Sequence, residues 1–379
     1  MYTIIIQKAI KIKYFDKKMR IKNLNLKNFR NYADETIEFE DGLNVIYGKN
    51  AQGKTNCAEA VYYLCTGTSP RAKRDKQLIR RGDEFAEISA TAEGRYGNLE
   101  IYAKITESGR EIRVNGNKIA RNADILGNLF SVFFSPHELR LIQDGPDERR
   151  RFLNVSISQL SRPYYIALIR YNRILEQRNN LLKDKNLNTV YDLLPVWDEE
   201  LCKYAATIAR RRADFIEQLA PLATQIHSQL TDGTEQLKIS PEKKYKGSEE
   251  ELKERLYTEL SNNYERDIRL GFTASGPHRD DIDIEIDGTD AKAYASQGQT
   301  RTAALAIKLA EVEIFKELSG EYPVLVLDDV MSELDLPRRK KLVSYTKGLQ
   351  TIITCTHAER VLYGLEANKI KIEGGKVKK

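Results

Sequence analysis

The stretch that decides the fold is "GKNAQGKT", Gly48 to Thr55. It matches G-x-x-x-x-G-K-[ST] at every fixed position. It follows the apolar run "GLNVIYG" and runs into "NCAEAVYYL", which reads as a helix. The strand–loop–helix context that the motif requires is therefore present. Glycines at these places let backbone N–H groups close around a phosphate, Lys54 reaches the β and γ oxygens, and Thr55 offers its hydroxyl to Mg²⁺. Gly48, Lys49, Asn50, Ala51, Gln52, Gly53, Lys54, Thr55 and the following Asn56 are the candidate nucleotide-binding residues, with ATP and Mg²⁺ as cofactors. A chance loop is the competing reading, and the flanking strand and helix weigh against it.

A second stretch supports the first. "VLVLDD", Val324 to Asp329, is an apolar strand ending in two carboxylates. Asp328 suits a ligand on the magnesium side, and Asp329 suits a base for an attacking water. A solvated strand end would look the same in isolation.

Bulk properties bound the rest. A chain of 379 residues is long for one core, so two lobes are expected. Hydrophobic residues at 41% and charged residues at 31% are the balance of a soluble globular protein. The formal net charge of +6 permits an anionic partner without demanding one. No apolar run approaches the roughly 20 residues of a membrane span. Cys57, Cys65, Cys202 and Cys355 are scattered without a C-x-x-C pair, which points to a reducing cytoplasm, no disulfides and no zinc. The start, "MYTIIIQKAIKIKYFDKKM", lacks the sustained apolar region of a secretory signal. Met19 opens a cleanly alternating strand, so residues 1–18 read as a dispensable extension or a misassigned start.

Along the chain the pattern is α/β. The first third is β-rich, with an Asn115-Gly116 hairpin signal in "EIRVNGNKI". In the middle, Tyr164, Leu168, Tyr171, Leu175 and Leu182 form one helical stripe, and Leu201, Tyr204, Ile208, Phe215 and Leu219 form another. A polar link, "KDKNLNTVYDLLP", joins them into an expected antiparallel arm that Pro221 kinks or ends. Ser248 and Glu251 fit a capping box. From about Gly271 the β pattern returns, with "DIDIEIDG", "YPVLVLDD" and "TIITCT".

Before the acidic strand stands "SQGQ", running into the long helix "TAALAIKLAEVEIF". Ser296, Gly298 and Gln299 therefore sit at a helix N-terminus, where unpaired N–H groups and positive potential attract anions. An ordinary capped helix is the alternative.

The order is phosphate loop, helical insertion, Ser-x-Gly-Gln, acidic strand, then "SELD". It resembles the ABC-type ATPases, in particular their chromosome-maintenance and repair branch. "RNY" after the first strand, "GKNAQGKTN", "FSPHELRLIQDGPDERRRFLN", "GPHRDD", "SQGQ" and "LDDVMSELD" together look like the RecF family of bacterial recombination mediators, over nearly the whole chain. The resemblance implies an α/β ABC-type ATPase head of mixed sheets with helices, built from 19–136 and 271–379, interrupted by a helical arm at 137–270. It implies that Ser296, Gly298 and Gln299 cap the γ-phosphate held by a second copy, so that Lys54, Asp329 and Ser296 act together in an ATP-dependent homodimer with weak, switch-like hydrolysis. It implies that Arg30 reaches an α-phosphate, a surface arginine being the alternative. Asp335 would face the partner's site. His357 stands where transporters keep a γ-phosphate-sensing histidine that repair relatives often lack, with Thr356 as the alternative. The loop reading "SPHEL" lacks the coupling glutamine of transporters; Gln143 is nearby, and that role stays unassigned.

The resemblance further implies binding to double-stranded DNA near single-strand gaps, and cooperation with RecR and RecO in placing RecA. Arg71, Lys73, Arg74, Arg80 and Arg81 form one basic group suited to phosphate contacts, and Arg149 to Arg151 a second; solvated charged faces are the alternative for both. A transporter subunit would need the missing glutamine. An ATPase-nuclease would need a further acidic domain, and a structural maintenance protein a far longer coiled coil.

Overall fold

The computed structural model describes residues 18–243, 245–362 and 366–378. The extension expected at 1–18 lies outside the described residues except for Lys18, which forms an isolated parallel bridge with Tyr322. Two compact units divide the chain. One takes residues up to Glu138 together with those from Lys308 onward, and the other takes Leu139–Ile307.

The first unit contains two six-stranded sheets. One is antiparallel, in the order β2-β1-β4-β5-β6-β7, from β1 (Arg20–Phe29), β2 (Tyr32–Glu38), β4 (Phe85–Gly94), β5 (Gly97–Thr106), β6 (Gly109–Val114) and β7 (Asn117–Lys118). Its strands alternate buried and exposed residues, as a sheet with one covered face must. Asn115 and Gly116 both take positive φ at the β6–β7 turn, as the Asn-Gly signal predicts. The other sheet has the order β15-β14-β3-β13-β12-β8, from β3 (Leu43–Tyr47), β8 (Ser131–Phe134), β12 (Val324–Asp328), β13 (Thr351–Cys355), β14 (Asn368–Glu373) and β15 (Lys376–Lys378). It is parallel apart from the β14–β15 hairpin. Strands β8, β12 and β13 are buried throughout, which is why they read as mainly apolar runs. Helix α1 (Lys54–Thr66) touches β8, β12 and β13 of this sheet and β4 and β5 of the other, so nearly all its residues are buried.

The second unit holds α2 (Arg140–Gln143), α3 (Pro146–Leu160), α4 (Arg162–Leu181), α5 (Leu187–Leu230), α6 (Glu249–Ser261), α7 (Tyr264–Leu270) and α8 (Ala291–Tyr294). It also has a three-stranded sheet, β11-β10-β9, from β9 (Leu237–Pro241), β10 (Ile282–Ile286) and β11 (Thr289–Asp290). Helix α9 (Gln297–Ser319) runs from this unit into the first.

Three expectations change. Of the kink or end expected at Pro221, the end does not occur; α5 is 44 residues long and contains both Pro195 and Pro221. Each proline removes one backbone hydrogen bond, but Leu219, Ala223, Ile226 and Leu230 keep the buried stripe continuous beyond it. The polar link is shorter than "KDKNLNTVYDLLP", because Asn186 caps α5 and Val190 and Leu194 pack with Leu182. The segment "DIDIEIDG" pairs with β9, a strand absent from the sequence reading, and so the helical unit extends to Ile307 where 270 was expected. The Ser248–Glu251 capping box forms as its spacing predicts.

Arg178 holds this unit together. Its guanidinium is fully buried, 2.5 Å from Asp198, 2.8 Å from Asp267 and 2.8 Å from the Thr273 hydroxyl. Arg178→Met should strand two buried carboxylates and lower unfolding stability by about 3–5 kcal/mol. Urea unfolding followed by circular dichroism measures this. A loss below about 1 kcal/mol, the range of an exposed pair, would mean that water reaches the acids.

Candidate nucleotide site

Strands β3, β13 and β12 lie side by side in parallel, with Ile353 opposite both Val45 and Leu327. This register delivers the phosphate loop after β3 and the acids ending β12 to the same sheet edge, the carboxyl ends where open α/β sheets bind ligands. Thr55 Oγ1 donates to Asp328 Oδ1 at 2.9 Å, and Thr354 Oγ1 donates to the same oxygen at 2.6 Å. Burial pushes the Asp328 carboxyl above the ordinary carboxylate range, with the two hydroxyls and Arg71 opposing the shift.

Lys54 is buried, and its ammonium curls over the loop to the carbonyl oxygens of Gly48 and Lys49, each at 2.8 Å. Burial lowers its pKa, while Asp329, Cys355 and Asp328 pull the other way. Asp329 stands in the left-handed region at φ 56, a conformation aspartate tolerates better than most residues. Its N–H donates to Thr354 Oγ1 at 3.0 Å, and its carboxylate accepts from Ser332 Oγ at 3.2 Å.

The motif "RNY" grips the loop from the first strand pair. Asn31 Nδ2 donates to Gln52 O at 2.8 Å and its oxygen accepts from Asn56, while Tyr32 Oη donates to Gly53 O at 2.9 Å. Arg30 turns elsewhere. Its guanidinium is bidentate on the fully buried Glu59, at 2.9 and 2.7 Å, and also reaches Gln77 O at 2.9 Å. Ser69 Oγ donates to the same carboxylate at 2.6 Å. Arg71 approaches the loop helix, 3.3 Å from Asn56 Oδ1 and 3.9 Å from Glu59. Lys73, Arg74, Arg80 and Arg81 are exposed, with Arg80 3.7 Å from Asp83.

Other residues are placed as follows. Asp335 N-caps α10 (Leu336–Tyr345), accepting from Arg338 N at 2.9 Å and from its guanidinium at 2.6 Å. His357 and Thr356 are joined to each other by a 3.0 Å hydrogen bond. Gln143 ends α2, exposed. Ser296 and Gln299 form a reciprocal cap, Ser296 N to Gln299 Oε1 at 2.9 Å and Gln299 N to Ser296 Oγ at 3.2 Å, with Ser296 exposed. Arg149, in the second basic group, is buried and bidentate on Asp281 at 2.6 and 2.7 Å.

The sequence reading missed Thr354, Asn31 and Tyr32 as positioning residues, although "TIITCT" and "RNY" contain them. It also missed the final hairpin, whose Gly374 and Gly375 donate their N–H groups to Gln52 Oε1 at 2.5 Å and Gln52 O at 3.0 Å. The residues fit a divalent cation: the Thr55 hydroxyl and Asp328 carboxylate converge, and oxygen donors of this kind suit Mg²⁺. Such an ion would neutralise phosphate charge while Lys54 and the loop N–H groups orient the phosphates.

Fold and site together define an ABC-type phosphate-loop ATPase head. The family described as RecF/RecN/SMC N terminal domain matches residues 20–377. A DNA replication and repair protein RecF of Clostridium acetobutylicum is 39% identical over 364 residues, 95% of this chain and 99% of its own. A solved structure of the recombination mediator protein RecF with ATP superposes with TM-score 0.88 at 35% identity, covering 97% of this chain and 99% of that one. The Smc head domain of Pyrococcus furiosus shares the fold, with TM-score 0.58 at 18% identity and 95% of each chain covered. The chain belongs to the RecF family of DNA replication and repair proteins. Among the described residues, no helix is long and apolar enough to cross a membrane.

Gly375 (φ 71) tests the hairpin's grip: an added Cβ would stand 2.3 Å from Asn31 O. Gly375→Ala should detach the turn from Gln52, and the amides of 48–55 should then exchange hydrogen at least about tenfold faster, a change of roughly 1.4 kcal/mol in local opening. Wild-type exchange there would show that the hairpin does not hold the loop.

Proposed function

We propose that the protein is an ATP-dependent DNA-binding protein of recombinational repair. ATP with Mg²⁺ joins two copies, the dimer clamps double-stranded DNA near single-strand gaps, and RecR and RecO then act with it to load RecA. Hydrolysis is weak, stimulated by DNA, and occurs at sites shared between the copies. Relatives named for replication and repair, and a relative solved with ATP and titled for the RecFOR pathway, support this reading.

The observation that carries it is Gly298. Glycine in the first turn of a helix costs up to about 1 kcal/mol relative to alanine. Yet a Cβ there would meet nothing closer than Ser296 Oγ at 3.9 Å, and its φ is not positive. Nothing among the described residues of the protomer requires the glycine, and a close approach from outside would. The Ser296–Gln299 cap keeps the helix end ordered and presents it to solvent, where a γ-phosphate on a second copy would meet a hydroxyl and positive potential. Within each site, Thr55 and Asp328 would hold Mg²⁺, Lys54 would draw the β and γ oxygens, and Asp329 would take the proton of the attacking water. The exposed Lys73, Arg74, Arg80 and Arg81, with Arg71, would meet DNA phosphates.

Three variants test the parts. Lys54→Ala should lose nucleotide affinity and ATP-dependent dimerisation, read as solution mass by light scattering. Asp329→Asn should keep binding but stop hydrolysis, because the amide is isosteric and not basic, so ATP dimers should persist. If Asp328→Asn alone gave that behaviour, the two acids would be reversed.

Ser296→Arg should bind ATP as a folded monomer and fail to dimerise; the lost cap costs only about 1 kcal/mol. Mixed with Lys54→Ala, it should regain some hydrolysis, since one shared site then carries neither lesion. Loss of ATP affinity by the Ser296→Arg monomer would place the signature in its own pocket and overturn the shared-site reading.

A further inference from the structure

Two motifs take no part in the nucleotide chemistry: "GPDERRRFLN", which forms α3, and "GPHRDD", the loop before β10. Both lie within 139–307, and the structure joins them to each other and to Arg212 of α5. Pro277 O accepts from Arg212 at 2.5 Å, Asp280 O accepts from Arg150 at 2.7 Å, and Asp281 binds Arg149. His278 is tied between Tyr171 Oη at 2.6 Å and Thr273 O at 3.0 Å, and burial lowers its pKa to about 4, so it is neutral near pH 7. Gly276 (φ 122) permits this closeness, because a Cβ there would stand 2.7 Å from Tyr171 Oη. The loop is thus a bracket that fixes arginines.

Two of the arginines it fixes, Arg150 and Arg212, line a cleft of about 330 Å³ together with Arg151. Arg150, Arg151 and Arg212 border it with Asn154, Asn172 and His278, over a floor that includes Val155, Leu168 and Ile208. Asp147 is the one acid among the lining residues. It pairs with Arg150 at 2.5 Å from a side chain 95% exposed, and Glu148, outside the lining, lies 3.2 Å from Arg151. A pair whose carboxylate is as open to water as Asp147 contributes at most about 1 kcal/mol and yields to a stronger anion.

Arg212 differs. It is 5% exposed, and its hydrogen bonds end on neutral groups: Tyr164 Oη at 3.1 Å, Asn154 Oδ1 at 2.8 Å and Pro277 O. A buried cation without a carboxylate on it is costly, and the cost falls when an anion arrives. Asp280 acts on it electrostatically, without an ion pair between them. Its own carboxyl is held by Tyr245 Oη and pushed by burial toward the neutral form. Three guanidiniums from two helices, backed by two amides, form the planar donor set that recognises phosphate oxygens.

We propose that this cleft is a second anion site, made by residues other than the phosphate loop, that takes the phosphate of a phosphoester: a nucleic-acid backbone or a free nucleotide. The nucleic-acid source rests on the reading given under Proposed function.

Asn172 is the handle for a test, since it is exposed and Asn172→Asp removes none of the hydrogen bonds described. Asn180→Asp, two turns further along α4 and outside the cleft lining, is the control. Duplex DNA binding with ATP should weaken about tenfold in Asn172→Asp, with the log–log salt slope reduced by about one phosphate. Asn180→Asp should bind like the wild type, and ATP-dependent mass should be unchanged in both variants.

A second arm adds inorganic phosphate at fixed ionic strength to ADP-saturated protein. Wild type should melt at a higher temperature than in chloride, and Asn172→Asp should lose that gain. Phosphate stabilisation lost in Asn172→Asp with DNA affinity intact would support the cleft and assign it a free phosphoester. Equal DNA losses in Asn172→Asp and Asn180→Asp, or no difference from wild type in either arm, would overturn the cleft. Wild type that fails to bind duplex DNA with ATP would count against the DNA reading alone, and the phosphate arm would still decide the cleft.

Discussion

One carboxylate oxygen, Asp328 Oδ1, accepts hydrogen bonds from Thr55 and Thr354 at once, and the site depends on that junction. Thr55 opens the loop helix, Asp328 ends β12 and Thr354 lies near the end of β13, so one buried atom ties the loop helix to two strands of the parallel sheet. A parallel pairing shifted by one residue would turn Asp328 to the other face, because side chains alternate along a strand. The register therefore decides whether hydroxyl and carboxylate meet. The same burial that makes the junction rigid raises the acid's pKa, which gives the carboxylate a reason to take up a cation.

What the sequence made legible follows from the range of the forces involved. The phosphate loop, the acidic strand end, the Asn115-Gly116 turn and the Ser248 cap are each set by residues within a few positions of one another, and each takes the local structure its residues predict. The extent of α5 was not legible. Pro221 argues locally for a stop, and what overrides it is packing along Leu219, Ala223 and Ile226. Strand β9 was not legible either: "LKISP" is short and ends in proline, and it becomes a strand only because β10 supplies the partner. The grip of Asn31, Tyr32 and Gly375 on the loop joins segments far apart in the chain, and their motifs carry no periodicity that would announce it.

Buried cationic side chains fall into two kinds here, and the distinction sorts structure from binding. Arg178 and Arg149 are matched to carboxylates as buried as themselves or nearly so, and such pairs are complete without a ligand. Lys54 and Arg212 are held by carbonyl, hydroxyl and amide oxygens instead. Neutral dipoles fix the position of a cation without cancelling its charge, so these two remain available to an incoming anion. Lys54 is the known form of this device in a phosphate loop, and Arg212 repeats its logic in the helical unit with a guanidinium.

The same criterion bears on Arg30. Its guanidinium is bidentate on Glu59, a carboxylate with no exposure, while its own side chain is 22% exposed. By partner it belongs with Arg178 and Arg149, but by exposure it does not. A nucleotide phosphate that drew Arg30 away would leave Glu59 with Ser69 at 2.6 Å and Arg71 at 3.9 Å. Arg71 can close that gap by a small side-chain movement, so the buried acid need never stand without a cation. Exchange of one arginine for the other on Glu59 is therefore the low-cost route by which Arg30 could reach a phosphate. It would also move Arg71, the first residue of the exposed basic group, whenever the nucleotide site filled.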